Sequence, residues 1–171
     1  QLTSEGDQES LELFYGNVSM VLSQLTRTAF IAPPGKKLIV SDFSAIEARV
    51  IAWLAGEQWR LDVFTGHGKI YEASAAAMFK MKIEDVKKGS MYRDAAKVAE
   101  LALGYQGAVG AMSSMIATEK RRAQDKGKEW TYNPTEAEMK AVVYAWRAAS
   151  PKIVKLWYDV NDAVIHCIQT R

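Results

Sequence analysis

Residues 93 to 105 read RDAAKVAELALGY, and they belong to a segment, 90 to 103, that is predicted to be helical. Arg93, Lys97, Leu101 and Tyr105 recur every four residues, so a helix places all four on one broad face. That face runs from two cations through an aliphatic group to an aromatic ring. It suits a triphosphate followed by a sugar and a base. The same spacing is also typical of a solvated helix whose end reaches a core.

Further helices are predicted on both sides of this stretch. They cover residues 8–15, 18–26, 45–55, 59–64 and 69–79 before it, and residues up to 116, 135–149 and 150–169 after it. Gly56 is a helix stop, and Thr135 with Glu138 matches a capping box. The charged stretch at residues 119–132 is predicted to be flexible. The pattern therefore indicates a mainly α chain.

A small strand element interrupts the helices. Two apolar runs, at residues 29–32 and 37–42, flank the turn Pro33-Pro34-Gly35-Lys36. Apolar runs on either side of a Pro-Gly turn predict a small β-hairpin. With it, the fold class becomes mainly α with a minor β part (α+β).

Bulk properties exclude several classes of protein. The chain has 171 residues, a net charge of +2 and one cysteine, Cys167, so it holds no internal disulfide. No apolar run reaches the length of a membrane span. Because the chain begins at Gln1 rather than Met, we expect a piece of a longer protein, and a reducing cytoplasm fits its cysteine content.

A second chemically informative stretch reads DFSAIEAR at residues 42 to 49. Asp42 ends an apolar run just before a helix, where a carboxylate can hold Mg²⁺ together with phosphate oxygens and water. One aspartate makes half of such a site. An ordinary turn also explains Asp42, and Ser44 with Glu47 matches a capping box that needs no active site.

The two stretches together resemble motifs A and B of family A DNA polymerases. DFSAIEAR resembles motif A, which reads Asp-Tyr-Ser-Gln-Ile-Glu-Leu-Arg in the bacterial repair enzyme. The stretch from Arg93 to Tyr105 resembles the Arg-x-x-x-Lys-x-x-x-(Phe/Tyr)-x-x-x-Tyr-Gly pattern of motif B. Their order and spacing also match this family, and the form of motif A resembles phage or prophage members more than the cellular repair enzyme. The resemblance covers most of the chain from about residue 22.

Motif A implies roles for three residues. Asp42 would bind both catalytic metal ions, which are Mg²⁺, and the backbone carbonyl of Phe43 would bind one of them. Glu47 would lie under the sugar of the incoming nucleotide and exclude a 2′-hydroxyl. Ala45 stands where the family has glutamine.

Motif B and the segment before it imply the nucleotide contacts. Arg93 and Lys97 would bind the phosphates, with Lys97 also donating a proton to the leaving pyrophosphate. Tyr105 would lie at the nucleotide and template-base site, hydrogen-bonded to Glu47. Leu101 replaces the family's aromatic residue, and Tyr71 replaces a histidine that contacts phosphate.

The resemblance implies a fragment of a DNA-directed DNA polymerase. Residues 1–28 would form a helical lead-in, 29–56 a palm element with motif A, and 57–171 the fingers subdomain with motif B. The parent would use primer-template DNA and dNTPs in the cytoplasm of a bacterial or phage-infected cell. The sequence contains no His-Asp-Glu of motif C, so we expect the isolated chain to be inactive.

Two other interpretations stay open. A single-subunit RNA polymerase shares the two-metal layout, although Glu47 as a gate against ribose argues against it. A helical interaction module would place Asp42 and Arg93 on unrelated surfaces.

Overall fold

The computed structural model describes residues 8–15, 18–125 and 127–170. The chain divides into two compact units, residues 1–42 and 43–171. Residues 1–7, 16 and 17 of the predicted helical lead-in lie outside the described residues. The boundary between the units falls inside the predicted palm element, directly after Asp42.

The first unit contains short helices followed by irregular chain. Helix α1 spans Gln8–Tyr15 and helix α2 spans Val18–Leu25, and a 3₁₀ turn follows at Thr26–Ala29. The Thr28 hydroxyl donates to the Leu25 carbonyl at 2.6 Å. This bond satisfies a carbonyl that the end of α2 leaves without a helical partner.

The predicted β-hairpin is wrong, because no strand is present among the described residues. Its turn does form: the Lys36 amide donates to the Pro33 carbonyl at 3.0 Å, and Gly35 has φ 72°. The run that follows is uncovered, with Ile39 94% and Val40 90% exposed. An isolated two-stranded hairpin is marginal in water, since neither face gains burial.

The second unit is built from packed helices. They are α3 (Ile46–Ala55), α4 (Gln58–Thr65), α5 (Ile70–Phe79), α6 (Met91–Leu103), α7 (Val109–Asp125), α8 (Glu136–Ala149) and α9 (Pro151–Gln169), with a 3₁₀ turn at Ile83–Asp85. The predicted mainly helical class is therefore confirmed.

Local sequence signals explain several helix ends. Gly56 ends α3 in the left-handed conformation, with φ 65°. Thr135 and Glu138 form the predicted capping box at the start of α8. The box predicted for Ser44 and Glu47 is wrong: α3 is preceded by Ala45 at φ 50°, with no side-chain cap.

The first part of the charged stretch predicted to be flexible, residues 119–125, is helical. Helix α7 continues through it to Asp125. Glu119 is only 4% exposed, so it lies inside the fold rather than in a solvated loop. Ion pairs with Lys97 and Arg122 hold it there. The density of charged residues in the sequence does not reveal these pairs.

Helix α6 lies at the centre of the second unit, packed against α5, α7 and α8. Its inward residues Ala96, Val98 and Leu103 are fully buried. They join a core that includes Trp146 of α8 and Ile153 of α9. The outward face of α6 is thereby held in a defined orientation.

A tight turn follows α6. Gln106 has φ 62°, and a Cβ at position 107 would lie 1.9 Å from the Ala102 carbonyl oxygen. Only glycine fits there. The Arg147 side chain donates to the Gly107 carbonyl at 3.0 Å, which holds the turn that carries Tyr105.

Candidate functional site

The outward face of α6 carries most of the predicted nucleotide contacts. Ser90 caps the helix by accepting a hydrogen bond from the Arg93 amide at 3.3 Å. Arg93, Lys97 and Leu101 are partly buried along the helix. Tyr105 lies just beyond the helix end at Leu103 and is 68% exposed. The predicted face therefore exists, with its aromatic end in the turn rather than on the helix.

Arg93 is held by helix α5. Its Nε donates to Oε1 of Glu72 at 2.6 Å, and the two side chains are 20% and 17% exposed. Its guanidinium also lies 5.5 Å from the centre of the Tyr71 ring. Tyr71, which stands in place of the family's phosphate-contacting histidine and is predicted among the nucleotide-binding residues, thus supports Arg93 directly.

Lys97 is held by helix α7. Its ammonium forms an ion pair with Oε2 of Glu119. The other oxygen of Glu119 accepts from Nη1 of Arg122 at 2.8 Å. The Lys97 side chain is 30% exposed, whereas that of Glu119 is 5% exposed. One nearly buried carboxylate therefore serves two cations.

These contacts set the ionisation of both carboxylates. Burial by itself raises the pKa of Glu72, but the hydrogen bond and charge of Arg93 outweigh it and the net pKa is lowered. Burial likewise raises the pKa of Glu119, and the hydrogen bonds and charges of Lys97 and Arg122 reverse that effect. Both carboxylates are ionised at neutral pH, so each cation of the face has a permanent counter-ion.

The pKa values of two neighbouring groups, Tyr71 and Asp94, are raised rather than lowered. Burial raises the pKa of Tyr71, with the charge of Glu100 adding to the effect and that of Arg93 opposing it. Burial also raises the pKa of Asp94, against the charges of Arg93 and Lys97. Tyr71 therefore keeps its hydroxyl proton at neutral pH and stays available as a hydrogen-bond donor.

Glu47 and Tyr105 line one small pocket. Glu100 and Trp146 also line this pocket. Since Ser44 forms no capping box with Glu47, the Glu47 carboxylate is not used in a helix cap, and the residue is exposed. The structure brings Glu47 and Tyr105 together as motifs A and B imply, but without the implied hydrogen bond between their side chains.

A buried polar network anchors α6 beneath this pocket. Arg60 Nη1 donates to Glu100 Oε2 at 2.6 Å, and both side chains are at most 2% exposed. Ser74 and Trp146 donate to the other Glu100 oxygen at 2.5 and 2.8 Å. Arg60 also donates to the Ser150 hydroxyl at 2.8 Å. Because every partner lies on a different segment, the network fixes α6 against its neighbours.

The segment leading into α3 is also fixed within the second unit. Arg49 Nε donates to the Ser44 carbonyl at 2.9 Å, and its guanidinium lies 4.4 Å from the centre of the Phe64 ring. The left-handed Ala45 between them is an uncommon conformation for a residue with a side chain. Such conformations cluster at functional sites.

The predicted metal ligands lie at the boundary between the units. Asp42 is exposed at the end of the first unit, and Phe43 is 79% exposed at the start of the second. Across residues 8–15, 18–125 and 127–170, no group of three or more histidine, cysteine, aspartate or glutamate side chains is placed to hold a metal ion.

Sequence reasoning missed four charged residues that shape the site: Arg60, Glu72, Glu100 and Glu119. Glu72 and Arg93 are 21 positions apart, and Arg60 and Glu100 are 40 apart, so no local pattern connects them. Only the spacing of Glu119 and Arg122, three residues apart on α7, gave a signal within the sequence.

Comparison with known proteins gives the family. The model of DNA polymerase family A matches residues 17–144, and the chain therefore belongs to that family. Over 170 residues, 99% of this chain, it is 55% identical to the DNA polymerase of Bacillus phage SP02. This membership contradicts the interpretation of the two motifs as coincidence in an interaction module.

Cellular relatives match over shorter stretches. The chain is 36% identical over 98 residues to DNA polymerase I of Pseudomonas aeruginosa, which is 57% of this chain and 10% of that protein. It is 34% identical over 103 residues to the thermostable DNA polymerase I of Thermus aquaticus, 60% of this chain and 12% of that protein. No solved structure matched the chain.

The chain spans about a quarter of the phage relative, since the match covers 24% of that protein. Within the described part of the chain, no helix is long and apolar enough to cross a membrane.

Proposed function

We propose that the chain is the nucleotide-binding part of a DNA-directed DNA polymerase, which transfers nucleotides from dNTPs to a primer 3′ end. The shared face of α6 carries this proposal. It presents Arg93 and Lys97 one turn apart, on a helix whose other side is buried. The similarity to the phage SP02 polymerase over 170 residues supports the same function.

The two cations bind the triphosphate in this proposal. The Arg93 guanidinium can contact phosphate oxygens with its planar edge, and the Lys97 ammonium offers a compact charge next to it. Lys97 then donates a proton to the leaving pyrophosphate. Tyr71, whose ring lies against Arg93, orients the guanidinium from behind.

The sugar and base lie farther along the same face. Leu101 and Tyr105 contact them, and Glu47 excludes a 2′-hydroxyl by occupying the space that it needs. The pocket shared by Glu47 and Tyr105 supports this arrangement. By excluding the 2′-hydroxyl, Glu47 favours deoxyribonucleotides over ribonucleotides. This selectivity is that of a DNA polymerase rather than an RNA polymerase.

Asp42 and the Phe43 carbonyl are the proposed ligands for Mg²⁺. A hard cation of this kind accepts carboxylate and carbonyl oxygens, and bound Mg²⁺ would neutralise charge on the phosphate oxygens. Since the sequence contains no His-Asp-Glu of motif C, the second carboxylate of a two-ion site has to come from outside this chain. The isolated chain is accordingly inactive in this proposal.

The remaining partners follow from the reaction. Primer-template DNA and dNTPs are the substrates of the whole enzyme, and its proposed location is the cytoplasm of a bacterial or phage-infected cell. Relatives from a phage and from bacteria support that location.

A chimeric polymerase tests this function. The matching 170 residues of the phage SP02 polymerase are replaced by this chain, and primer extension is measured with Mg²⁺ and four dNTPs. We expect extension by the chimera, and a loss of at least about a hundredfold in kcat for its Asp42→Ala and Lys97→Ala variants.

The control is Lys140→Ala, which removes an exposed lysine of α8 and is expected to keep full activity. A folded chimera that binds DNA without extending it contradicts the proposal. Full activity of the Asp42→Ala chimera does so as well. The 171-residue chain alone should give no extension.

A further inference from the structure

We propose that Glu119 competes with the nucleotide for Lys97: it forms an ion pair with Lys97 when no nucleotide is bound. When Lys97 binds the phosphates instead, Arg122 remains as the ion-pair partner of Glu119. The inference rests on the proposed nucleotide site and adds to it a residue that sets its affinity for the triphosphate. Its basis is the three-membered arrangement of Lys97, Glu119 and Arg122 between α6 and α7.

The two cations of the face differ in how they are held. Glu72 takes only the Nε of Arg93, and the Nη1 and Nη2 groups of Arg93 have no hydrogen-bond partner among the described residues. A phosphate can therefore bind Arg93 without displacing Glu72. Lys97 instead presents a single ammonium, and its one acceptor among the described residues is Glu119.

The ammonium of Lys97 is a point charge on a flexible stem. A triphosphate and Glu119 therefore compete for the same group. While Glu119 is paired with Lys97, its negative charge also weakens the attraction of that site for an anion. The free energy needed to separate the pair is subtracted from the free energy of nucleotide binding.

Burial of Glu119 explains why it has a second partner. Its side chain is 5% exposed, and a buried carboxylate left without a partner is strongly destabilising. Arg122 already donates to the other oxygen at 2.8 Å. When Lys97 separates from Glu119, the ion pair with Arg122 remains. The exchange therefore never leaves the buried Glu119 carboxylate without a partner.

The exposures fit these roles. Glu119 is enclosed, Lys97 is partly open at 30%, and Arg122 is 62% exposed. The Lys97 side chain can therefore reach a ligand in solvent, whereas the enclosed Glu119 side chain stays inside the fold. Arg122, three residues along α7, pairs with the oxygen of Glu119 that Lys97 does not use, and in this proposal it acts only through Glu119.

Equilibrium binding of dATP with MgCl₂ to the 171-residue chain tests the exchange, with inorganic tripolyphosphate as a second probe. Titrations are followed by NMR up to millimolar ligand. Glu119→Gln keeps the shape of the side chain and removes its charge. We expect its Kd for both probes to fall about tenfold, as for loss of one charge-assisted competitor.

Arg122→Ala is expected to raise Kd by roughly threefold, because Glu119 then binds Lys97 alone and more strongly. In the Glu119→Gln background the same Arg122→Ala change should have no effect. A general loss of positive charge predicts instead that Arg122→Ala weakens binding equally in both backgrounds. That additive result overturns the proposal.

Other results also decide. An unchanged or higher Kd for Glu119→Gln overturns the proposal while leaving the nucleotide site intact, provided that Lys97→Ala abolishes binding. No binding by any variant removes the nucleotide site and this inference together. Arg122 is largely exposed, so its substitution does not endanger folding. Glu136→Gln, which removes an exposed charge on α8, is the matched charge control and should leave Kd unchanged.

Discussion

Residues 37–42, the run that leads into motif A, and α6, which carries most of motif B, differ sharply in how much hydrogen bonding and burial the described residues give them. In the first, Ile39 and Val40 are about nine-tenths exposed and no strand forms among the described residues. In the second, Val98 and Leu103 are fully buried.

The difference follows from where each element finds its hydrogen bonds. A helix satisfies its backbone groups within one segment, so α6 needs neighbours only to cover its apolar side, and α5, α7 and α8 provide this cover. A strand needs adjacent strands for its backbone groups. The helix α6 can therefore form and be covered in a chain that spans a quarter of its phage relative, whereas a strand at residues 37–42 would need partner strands.

The largest expected effect comes from breaking the buried polar network around Arg60 and Glu100, which holds the helices of the second unit together. Glu100→Ala leaves Arg60 buried without its ion-pair partner, and we expect a loss of about 3–5 kcal/mol in the free energy of unfolding. Urea denaturation followed by circular dichroism measures it. Glu136→Ala on the surface of α8 is the control and should leave the midpoint unchanged. An equal midpoint for Glu100→Ala contradicts the anchoring role.

A matched pair of leucines tests the comparison directly. Leu103→Ala removes a fully buried side chain and should cost about 2–5 kcal/mol. Leu38→Ala makes the same change at a residue that is 56% exposed, and should stay within about 0.5 kcal/mol. Thermal and urea unfolding of both variants give the values. A clear loss for Leu38→Ala would mean that the first region is covered in solution, and the contrast would fail.

Serine caps give a smaller effect at the two motif helices. Ser90→Ala removes the cap of α6 and should cost about 1 kcal/mol. Ser44→Ala precedes α3, where no side chain caps the helix, and should cost less than about 0.5 kcal/mol. Urea midpoints compare the two. A larger loss for Ser44→Ala than for Ser90→Ala would mean that Ser44 does cap α3, contrary to the structure.

The smallest effect is expected in acid, at the counter-ion of Lys97. The pKa of Glu119 lies below its ordinary value of 4.5 in the folded state, so its pairing stabilises the fold above that pH and the contribution disappears as the pH falls through the lowered pKa. Glu119→Gln should therefore be less stable than the parent chain at pH 7, and the gap should narrow below pH 4.5. Unfolding midpoints from pH 7 to pH 3 test this, and a gap that widens in acid refutes it.

The sequence predicted the candidate site unevenly. The four-residue spacing placed Arg93, Lys97 and Leu101 on one helical face because helical periodicity is local. It gave no sign of Glu72, whose contact with Arg93 spans 21 residues. A charge run suggested a flexible loop at Glu119, where burial and two ion pairs made a helix instead.

The predicted hairpin and the Ser44–Glu47 box failed for related reasons. Both patterns were present in the sequence, but a pattern states only which local structure is possible. No strand covers residues 37–41 among the described residues, and Ala45 enters α3 in a left-handed conformation that the box does not have.

The sequence by itself determined the family, the helical class and the shared face of Arg93, Lys97 and Leu101 on α6, because these depend on residue identity and on spacing within one segment. Only the tertiary structure decided which carboxylates hold the two cations, that Arg60 and Glu100 anchor α6 from below, and that residues 37–42 stand uncovered. These features depend on side chains that lie far apart in the chain and meet only when the helices pack, so the free energy that selects them arises from packing and burial rather than from local conformational preference.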